Sequence, residues 1–400
     1  MEKARPLFEM GLCDRCTGRF FSDWLHGVSN TERGRRIRES LKEEGYEYEE
    51  RESCFLCGDT FSALGQKAEW IEEALAGIEY ETFLFGSRMD KEALRKEEEI
   101  WQRYALNGES IKAEFNRELG KVFEEKSGKR FSRERPDVEI LYDVRYDDIK
   151  VQMNPVFIYG KYRKLVRGIP QTRWPCRHCH GKGCAHCDYT GKMYPESVEE
   201  LIAAPFMEIS SAEEHALHGM GREDIDALML GTGRPFVLEL KSPKKRKFDL
   251  PEMERRINEE SGGKIEVEGL RYSSKAEVRK IKASKAEKTY VIRIELDEDV
   301  DEEKLKKSLE MLKTTIAQRT PKRVSHRRAD LVRERRVMQI RLLEKEGPVA
   351  SIEVRGEAGL YIKELMHGDD GRTEPSLASV IGTGCTVLEL DVIAIEEKEE

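Results

Sequence analysis

Four hundred residues with a formal net charge of −8 provide enough chain for two or three domains with sizeable cores. The acidic average argues against a simple basic nucleic-acid binder. The lack of a long apolar run or of a charged-then-apolar leader predicts a soluble, cytoplasmic protein with no membrane partner. Charge is segregated, however: base gathers in KSPKKRK (Lys241–Lys247) and from Arg319 to Arg336, and such local patches keep RNA open as a partner.

Eight of the nine cysteines form four C-x-x-C pairs, Cys13/Cys16, Cys54/Cys57, Cys176/Cys179 and Cys184/Cys187. In a reducing compartment this is the spacing of zinc knuckles, because two thiolates on one tight turn grip one tetrahedral ion. Residues 1–65 form a first unit in which Cys13, Cys16, Cys54 and Cys57 close a structural zinc site. A redox dithiol would need only one pair. A second unit, 66–175, is helix-rich to about Arg135 and then strand-like over Val138–Tyr142 and Ile149–Met153.

The stretch NPVFIYGKYRKLVRGIPQTRW interleaves Phe157, Tyr159, Tyr162 and Trp174 with Lys161, Arg163, Lys164, Arg167 and Arg173. That mixture suits RNA, which needs stacking faces beside phosphate contacts. It equally suits a core strand whose solvent face is basic, and both readings stay open. Residues 176–192 form a hairpin in which Cys176, Cys179, Cys184 and Cys187 offer a second zinc site, crowded by only four residues between the inner cysteines. His178, His180 and His186 are alternative ligands, with exposed loop residues the plainer reading. A helix starts at Ser197.

Residues 193–400 form the last unit, centred on Met220–Lys241. It holds an acidic turn (Glu223–Asp226), a glycine-rich loop (Gly231–Pro235) and an apolar run, Phe236–Leu240, short enough for a buried strand. Carboxylates among arginines at a strand entrance suit an ionised Asp held by a cation, or a surface turn closed by salt bridges. A helix follows from Pro251 to Glu260, then a strand over Ile265–Tyr272 and the alternating TYVIRIEL. Leu305, Leu309, Leu312 and Ile316 line one helical stripe. From Arg319 to Arg336, eight Arg and Lys face only Asp330 and Glu334, which predicts a mobile basic segment for phosphates. Elements mix without a βα repeat, so the fold class is α+β. No nucleotide-binding glycine motif and no H-E-x-x-H occurs, so no organic cofactor is expected.

Several separated pieces then agree. LCDRCTGRFF, CFLC, NPVFIYGKYRKLVRGIPQTRW, GREDIDALMLGTGRPFVLEL, QRTPKRVSHRRAD and GLYIKELMHGDDGRTEPS together resemble the Pus-ten family of archaeal and eukaryotic tRNA pseudouridine synthases. The resemblance implies a zinc-bearing N-terminus with a THUMP-type RNA-binding domain, a C-terminal mixed α/β catalytic domain, and isomerisation of uridine in the tRNA T-arm. Uridine 55 is the implied target, with uridine 54 a second candidate.

Carried onto this chain, the resemblance implies Asp224 as the catalytic carboxylate, with Asp226 competing, and Arg222 as the residue that handles the RNA. It implies Tyr290 as the base-stacking ring, Lys363 as the partner of the Asp, and Tyr361 and Leu365 as pocket walls. Lys161, Arg163, Lys164, Arg167, Lys244, Lys245, Arg246, Arg323, Arg327 and Arg328 are the expected RNA clamps. Where relatives often carry an arginine after the turn this chain has Leu228, with Arg234 as its replacement. A monomer acting on tRNA without a protein partner is expected; the rival from another class is a non-catalytic, zinc-dependent tRNA-binding or chaperone protein.

Overall fold

A computed structural model describes residues 2–47, 51–58, 60–325 and 328–396. The chain divides into two compact units, Met1–Pro155 with Ser242–Arg246, and Val156–Lys241 with Lys247–Glu400. The boundary therefore falls ahead of the expected limits at 175 and 192, for a physical reason. The strand Val156–Lys164 hydrogen-bonds strands Leu228–Lys241 and Ile265–Tyr272 on its two sides, which makes it interior to the second unit's sheet.

In the first unit, strand Thr82–Arg88 lies parallel to Arg130–Phe131 and Val138–Asp143, and Asp148–Met153 closes the four-stranded sheet antiparallel. Helices Leu64–Ala74 and Ile111–Ser127 cover it, with Ile71, Phe115, Leu119 and Phe123 wholly buried. Ser110 caps the longer helix by accepting from the N–H of Ala113, and Gly128 ends it in the left-handed region. The N-terminal helices join this core around a buried Arg19, which is paired with Glu97 and Glu114.

The second unit is built on a ten-stranded sheet. Leu228–Lys241 is its longest-range member, pairing with Val156–Lys164, Glu214–Gly219 and Cys385–Glu396. The expected glycine-rich loop is thus part of a strand. Gly231 takes φ +54, and a Cβ there would stand 1.9 Å from the carbonyl oxygen of Ile393, so only glycine lets the crossing strand approach. Beyond Cys385–Glu396, itself well buried at Cys385, the order runs through Glu287–Leu296, Val349–Gly356, Val332–Glu346 and Thr315–Arg319.

Two apolar cores flank this sheet. One gathers Ile202 and Phe206 of helix Val198–Ser210, Met253 and Ile257 of helix Leu250–Glu260, and the strand residues Phe236, Val237, Leu238 and Leu240. The other gathers Leu305 and Leu309 of helix Glu302–Met311 with Ile292, Ile294, Ile352 and Leu365. The stripe expected to run through Ile316 breaks at Leu312, the helix cap, and Ile316 enters the next strand. Tyr290 packs against both cores, and the candidate site opens there.

The basic segment from Arg319 to Arg336 is not a loose tether. Its described part holds the end of one strand, a short 3-10 turn (Lys322–Val324) and the start of another strand, because its cations find carboxylates: Arg319 with Asp330, Arg323 with Asp224 and Glu364.

Candidate active site

The acidic turn joins strands Glu214–Gly219 and Leu228–Lys241, which are antiparallel neighbours with Gly219 opposite Phe236. Such a connection would be free to move, but here the carbonyls of Met220, Gly221, Asp224, Ile225 and Asp226 are each held by a side-chain donor. Lys164, on the inward face of its strand and wholly buried, donates from Nζ to the carbonyls of Ile169 (3.0 Å), Asp224 (3.2 Å) and Ile225 (3.1 Å). Arg167 donates to the carbonyl of Asp226 at 2.7 Å, Gln171 to that of Gly221 at 3.0 Å, and Arg234 to that of Met220 at 2.7 Å. The N–H of Leu228 closes the exit on the Asp391 carboxylate at 3.1 Å.

Glu223, inside the turn, points down. Its carboxylate meets Arg234 Nε at 2.8 Å and accepts from the Tyr162 hydroxyl at 2.9 Å, all three side chains being buried. An ion pair this deep is stable only because further hydrogen bonds satisfy it. The Tyr162 hydroxyl accepts from Gln171 at 2.8 Å and Arg234 serves Met220, which supplies them. With Glu223 anchored inward, Asp224 turns outward.

The Asp224 carboxylate is 38 % exposed and receives Arg323 Nη1 at 3.0 Å and 3.2 Å on its two oxygens. Lys363 Nζ lies 3.5 Å from Asp224 Oδ2 and 2.8 Å from Asp226 Oδ2, so it serves both acids and Asp226 more closely. Arg323 is aimed by Glu364, 2 % exposed, which accepts from its Nε at 2.7 Å. Burial opposes the Arg323 charge, but Glu364 and Asp224 outweigh it and raise its pKa. Burial likewise opposes ionisation of Asp226, and Lys363 overcomes it, holding that carboxyl below its usual value.

These groups line a cavity of about 760 Å³. Tyr290 forms one wall; burial, aided by the Asp224 charge and opposed by Arg234, pushes its phenol up to about 12. Lys288, one turn of the pleat away, is brought down to about 8 by burial and by Arg234, against Glu223. Trp174 and Arg222 line the cavity together, the guanidinium 5.1 Å from the ring centroid. Tyr361 lines it too and accepts from Arg328 Nη1 at 3.1 Å. Arg327 lies outside the described residues.

Several expected positions move. Leu365 is wholly buried in the core because its helix turns it inward, and Leu360, Ile362 and Leu390 line the cavity instead. Arg323, expected on phosphates, grips Asp224. Lys164 and Arg167 brace the turn, and Arg163 is held by the Gly231 carbonyl, Glu266 and Glu268. Lys161 is half-buried on the same strand. Lys244, Lys245 and Arg246 belong to the first unit, where Arg246 meets Asp137 at 3.1 Å and the Asn154 carbonyl at 2.6 Å. Glu223, Arg323 as a carboxylate partner, Lys288 and Leu390 escape sequence reasoning; only the odd placement of Lys164 among inward alternating residues hinted that a cation was needed inside.

Comparison with known proteins decides what this arrangement belongs to. The family model described as Pus10, C-terminal, matches residues 157–396, and that of the archaeal Pus10 THUMP domain matches 68–143. A tRNA pseudouridine synthase Pus10 of Methanothermobacter marburgensis is 47% identical over 96% of this chain and 95% of its own. That of Halorubrum lacusprofundi is 43% identical over 97% and 94%. The chain belongs to the Pus10 family of tRNA pseudouridine synthases.

As a Pus10 protein it is an isomerase, which settles the choice against a non-catalytic binder. A solved Cbf5–Nop10–Gar1 complex overlaps it over 48% of this chain and 44% of that one, at 22% identity and a TM-score of 0.31. Among the described residues no helix is long and apolar enough to cross a membrane.

Two four-cysteine clusters could hold metal in this Pus10 chain: Cys13, Cys16, Cys54 and Cys57, and Cys176, Cys179, Cys184 and Cys187, each with its sulfurs within 4.8 Å of one another. Cys13 and Cys57 Sγ stand 3.8 Å apart, as do Cys179 and Cys187. A tetrahedron with metal–sulfur bonds of about 2.3 Å has edges of roughly that length. Backbone N–H groups point at the sulfurs, among them Cys13 on Cys54 (3.3 Å) and Gly183 on Cys179 (3.1 Å), as thiolates require. The second cluster is less crowded than its spacing suggests because Gly181, Gly183 and Gly191 adopt positive φ. The three histidines stay out of it; the rings of His178 and His186 lie against each other, centroids 3.9 Å apart and planes tilted by 45°.

Proposed function

We propose that this chain isomerises uridine in the T-arm of tRNA, at position 55 with 54 as a second candidate, using Asp224 as nucleophile. The observation that carries the reading is the outward carboxylate of Asp224, held on a braced turn between Arg323 and Lys363 at the mouth of a cavity walled by Tyr290. A uridine extruded from its loop fits such a cavity, the Tyr290 face replacing stacking lost from the RNA. Its phenol, pushed up to about 12, stays neutral and presents an uncharged face to uracil.

The reaction breaks N1–C1′, turns the base and joins C5 to C1′, with the C5 proton lost and N1 protonated. It needs neither oxidant nor energy source. Asp224 attacks the nucleotide, at sugar or base, as a covalent catalyst. Arg323 and Lys363 aim it within a partly dry site. Arg222, stacked on Trp174 at the rim, positions the flipped nucleotide. Structural zinc in the two cysteine clusters would order the chain around them and supply no chemistry.

Incubation with unmodified tRNA transcript, followed by carbodiimide mapping of pseudouridine, tests this. Product at position 55 that disappears in Asp224→Ala is expected. Activity that survives Asp224→Ala but not Asp226→Ala would transfer the role to the neighbour.

A further inference from the structure

Tyr290 shares its face of the strand with a second cavity residue. Lys288 stands two positions earlier, so strand alternation puts both side chains on one face, and both line the cavity. The Lys288 backbone pairs with Gly356 on one side and Ile395 on the other, which fixes the root of the side chain inside the sheet. At its tip, a Cβ added to Gly221 would fall 2.5 Å from Lys288 Nζ and 3.1 Å from Arg234 Nη1. The two cations thus converge on the backbone just ahead of the acidic turn.

The carboxylate that acts on Lys288 is Glu223, whose oxygens are already taken by Arg234 Nε at 2.8 Å and the Tyr162 hydroxyl at 2.9 Å. Among the described residues Lys288 Nζ has no hydrogen-bond acceptor or ion-pair partner of its own. The other cations of the cavity wall are engaged: Arg323 and Lys363 on Asp224, Arg234 on Glu223, Arg328 on the Tyr361 hydroxyl, and Arg222 over the Trp174 ring. Burial and the Arg234 charge oppose ionisation of Lys288 and bring it down to about 8, so its ammonium costs the folded chain stability. A cation kept at such a cost in a cavity is explained by what it meets there.

The flipped nucleotide supplies the opposite charge only as it reacts. If Asp224 attacks C1′, the N1–C1′ bond breaks and its electron pair stays on the ring, leaving a uracil anion shared over N1, O2 and O4. If Asp224 adds to C6, the pair moves through C5 and C4 onto O4. Either way the ring lying on Tyr290 turns negative. The charge returns to Asp224 once C5 has bonded C1′ and the carboxylate has departed; C5 then loses its proton and N1 gains one.

We infer that Lys288 is a catalytic residue whose ammonium donates to a uracil oxygen and stabilises the negative charge the ring acquires during the reaction. The inference rests on the flipped uridine stacking on Tyr290. A donor that meets charge only in the transition state speeds the chemical step and adds little to binding. A phosphate oxygen would attract a lysine as well, but phosphates stay with the strand at the mouth while the base enters beside Tyr290.

The test compares single-turnover pseudouridine formation on unmodified tRNA transcript, at saturating protein, between wild type and Lys288→Gln. The rate should fall by about 10²-fold or more, with Kd by anisotropy within about twofold of wild type. Near neutral pH, Lys288→Gln should melt no lower than wild type, since the lost cation has no carboxylate of its own. A rate within about threefold of wild type would overturn the proposal. So would a loss carried entirely by Kd, which would place the ammonium on a phosphate. Transcript made with 5-fluorouridine separates ring stabilisation from packing. Fluorine itself stabilises negative charge on the ring, so the Lys288→Gln defect in nucleoside consumption should shrink severalfold there. An equal defect on both transcripts would overturn the proposal. Activity surviving in Asp224→Ala, with Lys288→Gln still impaired, would refute the nucleophile assignment and leave this comparison valid.

Discussion

Lys164 carries its ammonium into the protein interior and ends 3.2 Å from the carbonyl oxygen of Asp224, the residue whose side chain faces the cavity. A cation is thus built into the backbone of the site, beneath the acid and out of reach of substrate.

Lys164→Met should therefore act as a folding and positioning lesion. Three carbonyls lose the ammonium as a donor, those of Asp224 and Ile225 keeping the N–H groups of Ala227 and Gly168, for a loss of about 1–3 kcal/mol. A urea titration would show the lower midpoint, and Lys164→Arg should not restore it, since the larger head overfills the site. A midpoint like wild type would mean that water replaces the ammonium.

Arg323 separates two roles. If it holds Asp224, Arg323→Gln should cut the single-turnover rate by about 10²–10³-fold with tRNA affinity little changed. Glu364→Gln, which keeps the shape but loosens the aim of Arg323, should cut it less, roughly tenfold. A purely affinity-based defect in Arg323→Gln would return that residue to the phosphate-clamp role.

Lys288 gives the cavity a titration near pH 8. The folded pKa lies below the ordinary 10.5, so the unfolded chain holds more protons between these values. Stability from this group is consequently reduced below pH 8, rises between pH 8 and 10.5, and is fully regained above. Activity should also change across pH 8 as the cavity loses a charge. Both dependences should flatten in Lys288→Met; persistence of the step near 8 would assign it to another group.

Removing the first cluster should damage the N-terminal unit. Cys13→Ser/Cys16→Ser is expected to lose one zinc by elemental analysis and to cost several kcal/mol there, because binding energy at such a site is folding energy. Iron with visible absorption, in place of zinc, would reverse the metal assignment.

Gly231→Ala tests the strand crossing. The added carbon would fall 1.9 Å from the Ile393 carbonyl at a φ of +54, so the strands must part or the mutant must unfold. A destabilisation of about 3 kcal/mol or more in thermal melts is expected.

Legibility in the sequence followed the range of the forces involved. Alternation in Thr289–Leu296 and the helix start at Ser197 are local, and they survive into the fold. Long-range ion pairing is not local. Arg323 and Asp224 are 99 positions apart, and nothing in either segment says which acid a given arginine will find. Leu365 was misplaced for a related reason: a six-residue helix, Ile362–His367, changes which side chain faces the cavity with each step.

Taken alone, the sequence determined the α+β class, the four-cysteine groupings, and the presence of Asp224 in an acidic turn ahead of a buried strand. These depend on spacing and periodicity, which the chain carries residue by residue. Tertiary structure alone decided which basic residues hold the protein together. Lys164 and Arg163 are two adjacent cations, yet strand alternation sends one inward to the carbonyl of Asp224 and leaves the other at the surface among glutamates. The physical reason is desolvation: a buried ammonium is tolerated only where the fold collects several carbonyl oxygens around it, and that collection exists only once distant segments have packed.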